Sequence, residues 1–522
     1  MPGGLLAVTA GLGRGDAFRA GYVVGAVHYL ISLCWLRFIP FPAGAYAGWF
    51  SLSFFLALWP CAWALGCWAI ARRFGLLATS DSASGDGVRR PAEGLRRLGF
   101  ELARAPWLKL NLWFLASSAL WVALEMLVAR LFGGFPWNLL GTSQYRMLPL
   151  IQIASATGVY GVSFVVVWFS MSLSTALLNL VCEPDRTMAW RRPLVFPALM
   201  LVAVAGSGFL AIQGTPAPSR RLSLALVQPS IPQTVIFDPD ATTNRFDTLL
   251  RLTEQALATR PDLVVWPEAS LPNGLSRENF EQLASRLRDA KAWFIFGSDD
   301  AESTAVEPGG PPVDRAYNAA FLVDPDGKVA ASYRKQRLVM FGEYIPFGTW
   351  LPFLKRLAPI GDGFHPGPGP VPFRMESLNA TASVLICFED NFPQQARLHA
   401  TSGIDFLVNI TNDGWFGRSA AQWQHNANAV FRAIENGLPL VRACNNGVSC
   451  WIDAVGRIHS PRLRDGRDVY DAGFDAVTLA FGAPARTLYN RVGDVFGWAC
   501  VVGAISSLPV PKPWPRRRHP SP

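Results

Sequence analysis

Apolar residues follow two patterns along this chain, and the change between them divides it. Long apolar runs cover residues 18–37, 47–71, 109–131, 158–182 and 193–213, and a sixth covers 493–511. A helix needs about 20 such residues to cross a hydrocarbon core, so each run is predicted to be a transmembrane helix. From 214 to 492 the runs shorten and alternate with amphipathic stretches. RLSLALVQ, DLVVWPE, AWFIFGSDD, ASVLICFED and DFLVNITND read as strands; RFDTLLRLTEQALA and RENFEQLASRLRDA read as helices. YNAAFLVDPDGKVAASYRK reads as a hairpin turning at Asp326 and Gly327, and LVRACNNGVSCWID as another turning at Asn445, Asn446 and Gly447. This alternation predicts a layered α/β domain. The stretch AESTAVEPGGPPVDR, 301–315, is expected to be a flexible excursion.

Charge adds an orientation. Half of the 522 residues are hydrophobic and only 16% are charged, yet the net charge is +9. The arginines cluster between apolar runs: Arg72, Arg73, Arg89, Arg90, Arg96, Arg97 and Arg104 in one loop, and Arg186, Arg191 and Arg192 in another. Lys512, Arg516, Arg517 and Arg518 form a basic tail. The loop at 132–157 has only Arg146, and FIPFPAGAY has no charge. This is how membrane topology is written, so nucleic-acid binding is not expected. Placing the basic loops in the cytoplasm puts the N-terminus inside and the 214–492 segment outside. No cleavable signal peptide is expected; the first span acts as an anchor. The predicted organisation is a membrane domain over 1–213 with about five transmembrane helices, a catalytic domain over 214–492, a C-terminal transmembrane helix over 493–511, and a basic cytoplasmic tail over 512–522.

Within 214–492 three polar residues stand at or just after strand-like runs: Glu268, Lys335 and Cys387. Alone, each has an ordinary structural reading as a helix cap, a solvated strand end or a buried core thiol. Together they are the parts of a covalent acyl-transfer site. A free thiol has a pKa of about 8.5 and needs help to act as a nucleophile at neutral pH. Glu268 would take its proton and return it to the leaving group, and Lys335 would favour the thiolate and the oxyanion that follows. The other cysteines carry less. Cys34, Cys61, Cys67, Cys182 and Cys500 lie in or beside apolar spans. Cys444 and Cys450 flank the second hairpin turn and read as buried free thiols, with a disulfide as the alternative. His425 is expected to have a core hydrogen-bonding role, and Glu435 to pair with an arginine. Asn412, Asp413, Trp415 and Phe416 are expected to shape the loop beside Cys387.

The order of WPE, YRK and CFE resembles the nitrilase, or carbon–nitrogen hydrolase, superfamily, whose fold is an αββα sandwich. With the spans, the chain is similar to the apolipoprotein N-acyltransferases of bacterial inner membranes. QIASATGVYGVSF, FGEYIPFG, CFEDNFP, NITNDGWFG and RAIENGLPLVRACNNG carry that likeness, which runs from the first span to the last. The resemblance implies a multi-span helical membrane bundle plus a nitrilase-like α/β domain on the periplasmic side of the inner membrane. It implies that Glu268 is the general base, Lys335 the charge stabiliser and Cys387 the acyl-accepting nucleophile. Glu343 matches a second, supporting glutamate. Phe388 and Glu389 follow the nucleophile directly, where Tyr and Glu are common. Phe237 stands where Trp is common, and Met340 where Pro is usual. Phe237, Trp350 and Trp415 are candidate substrate contacts, and 349–364 a lid that dips into the outer leaflet. The family commonly has eight spans against the six counted here, which preserves parity. The implied reaction takes an acyl chain from a membrane phospholipid to a diacylated apolipoprotein, with no metal or organic cofactor. The alternative is a membrane-anchored nitrilase-type amidase with water as acceptor.

Overall fold

A computed structural model describes residues 13–77, 91–236, 242–270, 276–305, 312–346, 348, 350, 363–459, 468–482 and 486–509. The N-terminal half holds helices α1 (Arg14–Ser32), α2 (Pro42–Leu56), α3 (Leu58–Arg73), α4 (Pro91–Arg104), α5 (Trp107–Val128), α6 (Val159–Cys182) and α7 (Val195–Gln213). Among the described residues, four helical stretches are long and apolar enough to cross a membrane: Pro42–Arg73, Trp107–Val128, Val159–Cys182 and Met188–Gln213. Two of the six expected spans fall short of that. Helix α1 begins with Arg14, Asp16 and Arg19, and its apolar part gives way to a 3-10 turn at Cys34–Phe38. The last helix, Val495–Ser507, has 13 residues and stops just ahead of Pro509. At about 1.5 Å per residue it reaches roughly 20 Å, less than a hydrocarbon core of about 30 Å.

Glycines bring the first helices together. Gly21 and Gly25 lie one turn apart on α1, and a Cβ at either would stand 2.8 Å from the Cα of Cys61 or 3.0 Å from that of Ala57. The missing side chains let the two backbones touch, as small residues do in membrane bundles.

The remaining elements are strands β1 (Arg220–Gln228), β2 (Leu263–Val265), β3 (Trp293–Ala305), β4 (Pro312–Val323), β5 (Val329–Arg334), β6 (Pro372–Met375), β7 (Ala380–Ile386), β8 (Phe406–Thr411), β9 (Leu440–Cys444), β10 (Cys450–Ile452), β11 (Ile458–His459) and β12 (Gly473–Phe481). Helices α8 (Thr242–Leu257), α9 (Arg277–Ala290), α10 (Pro393–Ala400) and α11 (Ala421–Asn436) sit among them, and Val495–Ser507 is α12. The strands form two six-stranded sheets, ordered β12-β1-β2-β3-β4-β5 and β11-β10-β9-β8-β7-β6. Period-two burial explains the sandwich. Leu222, Leu224 and Leu226 of β1 face Val384 and Ile386 of β7 and Val408 and Ile410 of β8 in a shared core. Ala225 and Val227 point the other way, onto Phe246 and Leu249 of α8 and Leu283 of α9. On the outer face of the second sheet, Leu385, Leu407 and Leu440 pack with Phe431 and Ile434 of α11, and in the same cluster with Val122, Val159 and Tyr160 of α5 and α6. The layers are α, β, β, α, and the last helical layer leans on the apolar helices.

Both predicted hairpins form, with Gly327 and Gly447 at positive φ in their turns. The predicted excursion at 301–315 is smaller than expected. The β3–β4 ladder continues out to Ala305 opposite Pro312, and Arg334 of β5 ties it down through Asp300 at 2.7 Å and Glu302 at 2.6 Å. All eight cysteines are free; Cys450 pairs in register with Arg442, not with Cys444.

Candidate active site

The two sheets bring their strand ends together at one edge of the sandwich. Glu268 follows β2 by three residues, Lys335 follows β5 directly, and Cys387 follows β7 directly. Lys335 is almost fully buried, with Nζ 3.1 Å from Glu268 Oε1 and 2.8 Å from Glu343 Oε1. Asn318 of β4 donates from Nδ2 to both carboxylates, at 2.8 Å each. The remaining oxygens are held by backbone: Asn412 N–H donates to Glu268 Oε2 at 3.1 Å, and Val339 N–H to Glu343 Oε2 at 2.8 Å. Burial alone would push the Lys335 ammonium down, but the charges of Glu268 and Glu343 outweigh it and hold it well above its ordinary value. Lys335 is a permanent cation here.

Cys387 stands on a strained turn. Its φ is 51°, in the left-handed region that costs a non-glycine residue about 1–3 kcal/mol. Glu389 closes this turn by accepting the Ile386 N–H at 2.8 Å, as the third residue of a capping box does. The same carboxylate accepts from Gln336 N–H at 2.7 Å, Arg337 N–H at 3.1 Å and the Tyr333 hydroxyl at 2.9 Å. Glu389 therefore ties the Cys387 turn to the chain that carries Lys335. Asn409 donates to the Cys387 carbonyl at 3.1 Å. Cys387 as a residue is half-buried. Burial and the Glu268 charge push its pKa well above the usual thiol range, against the pull of Lys335. At rest it is a protonated thiol, so its activation calls for a base.

The wall beside the thiol is aromatic. Phe388 lies 5.9 Å from Phe135, 6.3 Å from Trp137 and 5.1 Å from Phe392 between ring centroids. These rings join Leu33, Trp35 and Leu56 of the N-terminal helices in one apolar cluster, with Cys387 packed against it. Trp415 is half-buried in the 3-10 turn Asp413–Phe416, and Trp350 is 85% exposed. Phe237 and most of the 349–364 segment lie outside the described residues.

His425 takes a core hydrogen-bonding position, as the sequence suggests. Its Nδ1 is 2.7 Å from Asp413 and its Nε2 2.8 Å from Asp390, all fully buried. Glu435 pairs with Arg432 at 2.8 Å, also as expected. Sequence reasoning missed Asn318, Tyr333 and the pairing of Arg442 with Asp390. A lone charged residue inside an apolar strand is the signal that marks Arg442.

The chain matches known proteins along nearly its full length. A family model described as carbon-nitrogen hydrolase matches residues 223–480, and one described as the apolipoprotein N-acyltransferase N-terminal domain matches 3–172. The apolipoprotein N-acyltransferase of Geobacter metallireducens is 34% identical over 501 residues, covering 94% of this chain and 87% of that protein. That of Bradyrhizobium diazoefficiens is 35% identical over 437 residues, covering 81% and 78%. Among solved structures, a mutant of the Nesterenkonia AN1 amidase from the nitrilase superfamily is 20% identical, with a TM-score of 0.35, covering 51% of this chain and 92% of its own. Saccharomyces cerevisiae Nit3 is 18% identical, with a TM-score of 0.37, covering 51% and 92%. With 87% of the Geobacter protein covered at 34% identity, and with apolar helices flanking a two-sheet α/β sandwich, this chain belongs to the apolipoprotein N-acyltransferase family of acyltransferases.

Proposed function

We propose that Cys387 carries the acyl group in a two-step transfer from a membrane phospholipid to the N-terminal α-amine of a diacylglyceryl-cysteine on an apolipoprotein. In the first step Glu268 takes the thiol proton and the sulfur attacks the ester carbonyl of the phospholipid. The ammonium of Lys335 stabilises the oxyanion. Collapse breaks the acyl C–O bond, Glu268 returns the proton to the leaving alkoxide, and a lysophospholipid departs. In the second step the α-amine attacks the thioester, the C–S bond breaks, and the amine proton passes through Glu268 to the thiol. Glu343 supports Lys335 throughout.

The observation that carries this reading is the apolar cluster that runs from Leu33, Trp35 and Leu56 to Cys387. A thiol seated against such a wall suits a lipid acyl chain and keeps water from the thioester, favouring aminolysis over hydrolysis. An amidase acting on a soluble amide has no use for it. Phe237, Trp350 and Trp415 are proposed to touch the substrates, and the basic loops to face the cytoplasm of the inner membrane, leaving the site on the periplasmic side.

The test is the intact mass of the purified chain and of Cys387→Ala after incubation with phospholipid in detergent. A fatty-acyl increment on the wild type alone, discharged by a diacylglyceryl-cysteine peptide, is the expected result. Discharge by water only would favour the amidase. No increment with any phospholipid would defeat the assignment of the donor.

A further inference from the structure

The aromatic wall beside Cys387 is held by a side chain that the two-step scheme leaves unused. Gln424 stands in the first turn of α11. Its Oε1 accepts the indole N–H of Trp35 at 2.9 Å and that of Trp137 at 2.8 Å. Its Nε2 donates at 3.1 Å to the carbonyl of Ser32, the last residue of α1. Two donors and one acceptor around the amide leave it a single orientation, with both lone pairs of the oxygen taken. One turn further along α11, Asn428 Nδ2 donates to the Trp137 carbonyl at 3.1 Å. Trp137 is thus gripped at its ring and at its backbone, and both indoles are almost fully buried. The Trp137 ring lies 6.3 Å from that of Phe388, the residue after Cys387, with the planes 20° apart. Trp35 closes on Phe416 at 4.4 Å.

We propose that Gln424 is a positioning residue of the acyl transfer: its amide oxygen sets the tilt of Trp35 and Trp137, and through them the face along which an acyl chain on Cys387 lies. An indole offers one donor and no acceptor, so the place of its N–H fixes the plane of the ring. Apolar packing alone holds such a ring less firmly, because it has no direction. A change in the tilt of Trp137 passes to Phe388, beside which it stacks. Glu268 and Glu343 take their partners elsewhere, from Lys335, Asn318, Asn412 and Val339. Gln424 therefore acts on where the chain lies, not on the proton transfers.

This inference rests on the reading that Cys387 takes its acyl group from a lipid along this wall, and the experiment separates the two. Two esters with one leaving group are compared on the full chain in detergent. p-Nitrophenyl acetate is too short to reach along the wall, and p-nitrophenyl palmitate lies on it. In each case the sulfur takes the acyl group, p-nitrophenol leaves, and the rate of the mass increment on Cys387 is read. The net worth of one hydrogen bond corresponds to about 2- to 10-fold in rate. Gln424→Leu leaves two indole donors without their acceptor, and is expected to lower the palmitate-to-acetate ratio by about 10-fold. Gln424→Glu keeps an acceptor oxygen in either protonation state and is expected to bring the ratio back towards that of the wild type. Trp35→Phe and Trp137→Phe keep a ring and drop one N–H each. Each is expected to show part of the loss, and they carry the test if Gln424→Leu does not fold. A ratio equal to that of the wild type in these variants, whether both rates hold or both fall together, would overturn the role of Gln424 and leave the nucleophile assignment standing. A wild-type Cys387 acylated by neither ester would overturn both.

Discussion

Glu343 lies nearer to the Lys335 ammonium than Glu268 does, 2.8 Å against 3.1 Å; it follows Lys335 by 8 residues, while Glu268 precedes it by 67. Two carboxylates thus share one buried cation, and Asn318 donates to both. Glu343→Gln removes one charge while its side-chain oxygen can still accept the Val339 N–H. Lys335 then turns wholly to Glu268 and occupies the proposed base. Acyl-enzyme formation should slow by about 10- to 100-fold, the worth of a charge-assisted hydrogen bond, while the fold persists. Single-turnover mass analysis with phospholipid measures this, and an unchanged rate would remove Glu343 from the site.

Glu389 has a different kind of importance. Its carboxylate accepts three backbone N–H groups and the Tyr333 hydroxyl, and it is fully buried. Glu389→Ala strands all four donors, so a loss of roughly 3–5 kcal/mol is expected. Thermal unfolding in detergent should show a clear drop in Tm, along with lost activity. A Tm equal to that of the wild type would mean that something else holds the turn.

Two buried histidines set opposite pH limits. Burial would push His425 down, but Asp390 and Asp413 outweigh it and raise its pKa to about 9. The folded chain therefore binds a proton that the unfolded chain releases near 6.5. Its stabilisation, roughly 3 kcal/mol at most, is complete below pH 6.5 and is lost as pH rises through about 9. His399 is held down to about 3 by burial, between Ser383 and Gln395. Stability should fall as pH drops below 6.5, where the unfolded chain gains a proton that the folded one refuses. Unfolding measured from pH 5 to 10 should show both limbs. His425→Gln should flatten the alkaline one, and if it does not, the decline has another source.

Gly25 on α1 offers a test in the helical part. A Cβ there meets the Cα and carbonyl oxygen of Ala57 at 3.0 Å, and both are backbone that cannot swing aside. Gly25→Leu should part α1 from α3 and cost about 1–3 kcal/mol, the usual penalty of overpacking. A detergent melting curve reads this directly; no change would mean that the contact is loose.

Much of this arrangement can be read from residue order, for a physical reason. Glu268, Lys335 and Cys387 each end an apolar run, and a strand that enters the core as an apolar run leaves it at the sheet edge, where chemistry can be reached. Asn318 is hidden from such reading. A polar residue amid YNAAFLV looks like a solvent-facing position until β4 is paired between β3 and β5 and turned inward. The lengths of two expected spans are not legible for a related reason: hydropathy adds up apolar residues but does not see where a helix starts and stops. Val495–Ser507 stops ahead of a proline, and α1 spends its first turns on charged residues.

Glu435 accepts the Val159 N–H at 2.8 Å, so a side chain of the sandwich caps the first turn of an apolar helix. Around it, Phe431 and Ile434 share one cluster with Val122, Val159 and Tyr160. What joins the two halves is common interior, not a tether. An excised 214–492 fragment would carry that interior as bare surface, together with a Glu435 carboxylate that has lost the Val159 N–H. Such a fragment should clump in plain buffer, and chemists seeking blockers of this enzyme will have to screen the intact chain in a lipid-like medium.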